Sequence, residues 1–109
     1  MAARLSVRFW RDIPVSVCAQ HGRTRHEIDL PRRFQRTVEL ASGTQSPVPG
    51  NGWWTQDRIC TDDLELEVTA EICRLESVYS RNKLGRLAQT SGFDQYQQRN
   101  RLQVVRTAS

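Results

Sequence analysis

Cys18 and His21, followed by His26, are the first residues whose types could do chemistry. A Cys-x-x-His pair can supply two zinc ligands, but a structural zinc site takes four, and Cys60 stands far off with no local partner. The same residues could form a thiolate nucleophile, which needs an activating pocket and an oxyanion-forming turn that no segment here supplies. Neither a catalytic residue nor a metal ligand is assigned. The carboxylates Asp57, Asp62, Asp63, Glu65 and Glu67 could hold a cation. A simpler role is a helix cap and a solvated first turn, with Asp62 capping and Glu65 completing the box. Gly50-Asn51-Gly52 is too short for a phosphate loop and lacks the Lys and Ser/Thr that would follow one.

The aromatic residues are more suggestive. Trp10 is flanked by Arg8 and Arg11, and Trp53 and Trp54 are adjacent. An aromatic among arginines on a sheet face makes a contact surface for a protein partner or for stacked bases. The alternative is a Trp covered by another segment, with Arg lying on its ring. Two adjacent tryptophans are poorly solvated together, so at least one should bury against the body or a partner. Arg8, Trp10, Arg11, Trp53 and Trp54 are therefore the candidate partner-binding residues.

These residues need elements to position them. Residues 5–30 read as three strands, about 5–10, 15–20 and 25–30, each alternating apolar and polar. Alternation puts Leu5, Val7 and Phe9, then Val15, Val17 and Ala19, then His26, Ile28 and Leu30 on one oily side. Trp10 falls on the opposite, wet side with Ser6, Arg8, Ser16 and Cys18. The segments 11–14 and 21–24 are the turns, with Pro14 holding Ile13 extended and Gly22 free to take a positive φ. Helices are expected at about 31–41, 63–79 and 81–90, the last capped by Ser80 and ended by Gly92. Residues 42–55, rich in Gly and Pro, read as a loop. The fold class is α+β: a three-stranded antiparallel meander packed in two layers against two or three helices. It occupies residues 1–92, and 93–109 form a partly ordered basic tail.

Bulk properties narrow the classes. At 109 residues the chain suits one domain, and 38% apolar residues allow a modest core. No apolar run approaches the roughly 18 residues of a membrane span, and the first ten residues hold no secretory apolar stretch. Charge is segregated. Residues 1–36 hold eight arginines against three acids, 37–80 eight acids against two arginines, and 81–109 six bases against one acid. Three dispersed cysteines without a CxxC pair argue for a reducing compartment rather than a disulfide scaffold.

Arg8-Phe9-Trp10-Arg11-Asp12-Ile13-Pro14, with Gly22-Arg23 and Leu30-Pro31-Arg32-Arg33-Phe34-Gln35, resembles a family of short bacterial "virulence factor" domains, conserved virulence factor-like. A looser second block, Arg74-Leu75-Glu76-Ser77-Val78-Tyr79 with Leu84, Leu87 and Ala88, resembles the same family. The resemblance brings no reaction or catalytic residue. Family genes lie near folate and corrinoid one-carbon enzymes, which implies an accessory subunit.

The expected function is a non-catalytic accessory or interaction subunit of a larger enzyme assembly, with no cofactor and no small-molecule substrate. One alternative is an RNA-binding module using the basic termini. The other is a small enzyme or subunit of one-carbon metabolism. The expected compartment is the cytoplasm, with the mitochondrial matrix as alternative.

Overall fold

The computed structural model describes residues 2–43 and 51–93. Its elements in chain order are β1 (Ala3–Trp10), β2 (Ile13–His21), β3 (Thr24–Asp29), α1 (Arg32–Ser42), β4 (Trp53–Cys60), α2 (Leu64–Val78) and α3 (Arg81–Gln89). The architecture is α+β, with all neighbouring strands antiparallel in the order β3-β2-β1-β4. The sheet thus has four strands where the sequence suggests three. The fourth starts in the last three residues of the stretch read as a loop and runs five residues past it, and it pairs with β1 from Ala3 opposite Cys60 to Trp10 opposite Trp53.

Alternation does its expected work on β1 and β2. Leu5, Val7, Phe9, Val17 and Ala19 are buried on the side where the helices pack. From α1 come Phe34 and Val38, from α2 Leu64, Val68 and Leu75, and from α3 Leu84 and Leu87. Each such side chain contributes about 1.5–3 kcal/mol by leaving water. The ring of Phe34 meets that of Tyr79 edge-on, with centroids 6.1 Å apart.

The helix ends follow their local chemistry. Pro31 precedes α1, where its missing N–H is no loss. Ser80 Oγ accepts the Lys83 N–H to start α3. At α2 the cap is Asp63, which accepts from the Leu66 N–H at 3.3 Å, and not the expected Asp62. The helix opens at Leu64, so the residue just before it holds the capping position.

α2 packs over β1, β2 and β3, and α1 packs on β2 and α3. β4 lies outside this cover as one edge of the sheet, with six of its eight residues exposed. Of the tail expected at 93–109, all but Phe93 lies outside the described residues.

Candidate functional site

The β1–β2 hairpin turns through two residues, Arg11 and Asp12, with Trp10 paired to Ile13. So tight a turn requires a positive φ, usually at glycine. Here Arg11 adopts it, at φ 54°. The surroundings hold it there. The Arg11 N–H donates to Gly52 O at 2.7 Å and the Asp12 N–H to Gly92 O at 2.8 Å. The Arg11 guanidinium donates to Ser91 O, and Trp54 Nε1 donates to Arg11 O at 2.6 Å. Three distant stretches of chain are thereby tied at the hairpin tip.

Trp10 is the centre of this knot and is 2% exposed. Its placement on a wet face is therefore corrected. Alternation assigns it a side of the strand, but residues around Gly52 and Gly92 come over that side and cover it. A Cβ at Gly92 would lie 2.8 Å from Trp10 Cζ3, and one at Gly52 3.1 Å from Trp10 Nε1. Only glycine lets the backbone come this close. Among the described residues the buried indole N–H has no hydrogen-bond partner. The Arg11 guanidinium lies between two rings, 4.5 Å from the Trp10 centroid and 4.7 Å from that of Phe93.

The other candidate residues surround the knot. Trp54 stacks flat on Phe9, with centroids 4.4 Å apart and planes 9° apart, and remains 44% exposed. Trp53 lies on the other side of β4, with the Arg8 guanidinium 4.2 Å from its ring centroid. Arg11, Asp12, Asn51, Gly52, Trp53, Trp54 and Phe93 line an open hollow of about 340 Å³. The structure thus gathers Arg11, Trp53 and Trp54 at one hollow, sets Arg8 beside it, and buries Trp10 behind it. Phe93 and Asn51 complete the lining and were invisible as site residues, because they reach it only through tertiary contact.

The remaining candidates take structural positions. Cys18 stands opposite Glu27 and His26 opposite Ala19, so Cys18 and His26 lie on opposite faces of the sheet. Among the described residues no group of three or more His, Cys, Asp or Glu could hold a metal ion. The Cys60 thiol is pushed up from its ordinary pKa, first by burial and then by Glu67, against the pull of Arg58. Glu67 accepts the Thr61 N–H at 2.6 Å, and that bond holds its carboxyl below the usual range. Asp57 faces Arg4 at 4.0 Å.

One polar cluster escaped the sequence reading. Glu71 is 6% exposed on α2, held by Arg74 of the same helix and by Arg58 of β4 at 3.5 Å. It ties β4 to α2 through charge. On the face away from the helices, Arg4, Arg8 and Arg25 alternate with Glu27, Asp29 and Asp57. Among the described residues no helix is long and apolar enough to cross a membrane.

A family model described as "Virulence factor" matches residues 8–88. No curated protein and no solved structure matches the chain.

Proposed function

Taking as premise that the chain belongs to the virulence factor family, we propose that it is a non-catalytic interaction subunit of a larger assembly. It binds a protein partner at the hollow formed by Arg11, Asn51, Trp53, Trp54 and Phe93. The observation that carries this reading is the state of Trp54. Its ring is half exposed, yet it is fixed from beneath by Phe9 and along its edge by Arg11 O. A large aromatic already locked in one orientation loses little entropy on binding, which is the property of an interface anchor. Arg11 sits at the same hollow with its guanidinium over the Trp10 and Phe93 rings, and Arg8 lies over the ring of Trp53 on the other side of β4; stacked guanidiniums of this kind can join an anchor.

The test is co-purification of the tagged chain from its source cells, with mass spectrometry of what remains attached in stoichiometric amount. The expected result is a protein retained by the wild type, lost with Trp54→Ala and with Asn51→Glu, and kept by Leu40→Ala on the distant surface of α1. Asn51→Glu fills the hollow without touching the Phe9 stack, so it separates lost binding from lost folding. Retention unchanged by both hollow variants overturns the proposal.

A further inference from the structure

The β4 edge, which runs on from Trp53 and Trp54 of the hollow, carries a second message. Its outward side is unpaired among the described residues, and it is poorly protected. Only Asp57 and Arg58 of its eight residues are charged, and Ile59 is 71% exposed. The opposite edge, β3, carries Arg25, His26, Glu27 and Asp29 among six residues, a density of charge that discourages strand addition. A long, sparsely charged edge with an exposed Ile is a template for another strand.

We infer that this strand is a second copy of β4, paired antiparallel across a two-fold axis through Gln56. The choice follows from counting. In an antiparallel pair, residues directly opposite share a face, so a two-fold axis must pass through a residue and not between residues. An axis at Asp57 sets two carboxylates against each other, and one at Arg58 sets two guanidiniums. An axis at Thr55 leaves the end of the strand unpaired. An axis at Gln56 sets Gln56 against Gln56, Thr55 against Asp57, Trp54 against Arg58, and Trp53 against Ile59. No like charges meet in that register. A hydroxyl faces a carboxylate, a ring faces a guanidinium, and the exposed Ile59 gains an aromatic partner. The edge is complementary to itself in this one alignment, which is what an isologous interface demands. The result is one continuous eight-stranded sheet with helices on one face of each half.

Sedimentation or light-scattering mass across a concentration series tests it. The wild type is expected to form dimers. Gln56→Lys and Gln56→Glu, each alone, place like charges on the axis and weaken the dimer by about fivefold. An equimolar mixture of the two restores it, because Lys then faces Glu. Gln56 is exposed, so both variants should keep the wild-type circular dichroism. A wild-type chain that stays monomeric throughout, including one whose β4 edge takes an unrelated extended peptide, overturns the inference. A dimer indifferent to the Gln56 variants and to their mixture overturns it too.

Discussion

The hairpin tip and the β4 edge use the same residue types in opposite circumstances. At the tip, Trp10 and Arg11 are enclosed by glycines and carbonyls from far along the chain. Along the edge, Trp54 and Arg58 keep much of their surface in solvent. The difference lies in what the chain brings over each one, not in their identities. A Trp-Arg pair is glue where two backbone segments close on it and an offered surface where none does.

Substitutions at the two places should therefore diverge. Trp10→Ala is expected to cost about 3–5 kcal/mol in urea unfolding, since it empties the knot. Ile59→Ala on the edge should stay within about 0.5 kcal/mol. Comparable losses at both would erase the distinction. Gly92→Ala comes next. It combines a φ of 86° with a Cβ driven into the Trp10 ring, whereas Gly22, at φ 61°, has nothing within 4 Å. Gly92→Ala should exceed Gly22→Ala, which carries only the left-handed strain of about 1–2 kcal/mol. Equal effects would show that the ring yields.

The smallest effect concerns the foot of the edge. The Glu67 carboxyl titrates below its ordinary range because it accepts the Thr61 N–H and, to a smaller extent, faces Arg58. A lowered folded-state pKa means its contribution is present above the unfolded value of about 4.3 and fades as pH falls through the lower folded value. The stability gap between wild type and Glu67→Gln should be open at neutral pH and close in acid. A gap that widened on acidification would reverse the assignment.

Much of this was legible in the residues and some was not, for definite reasons. The meander could be read because β1 and β2 bury one face and so must alternate. The cap at Ser80 and the left-handed Gly92 could be read because they are local requirements. β4 could not, since Thr55-Gln56-Asp57-Arg58 is polar throughout and an edge strand that buries neither face has no need of a two-residue period. It is a strand because β1 offers it hydrogen bonds. Trp10 could be assigned a side but not a covering, because Gly52 and Gly92 reach it from remote parts of the sequence. Arg11 and the Trp53-Trp54 pair were recognised from the sequence, while Phe93 and Asn51 entered only through the fold.

The bond from the Arg11 side chain to Ser91 spans 80 positions. During synthesis the hairpin emerges from the ribosome first and must wait, its tip unsealed, until α3 and the residues after it have been made. Loop closure of that length slows folding, and an unfinished tip leaves an indole open to any passing apolar surface. A chain cut short before Gly92 would thus be released with one side of the Trp10 ring uncovered, making truncation products clients for chaperones.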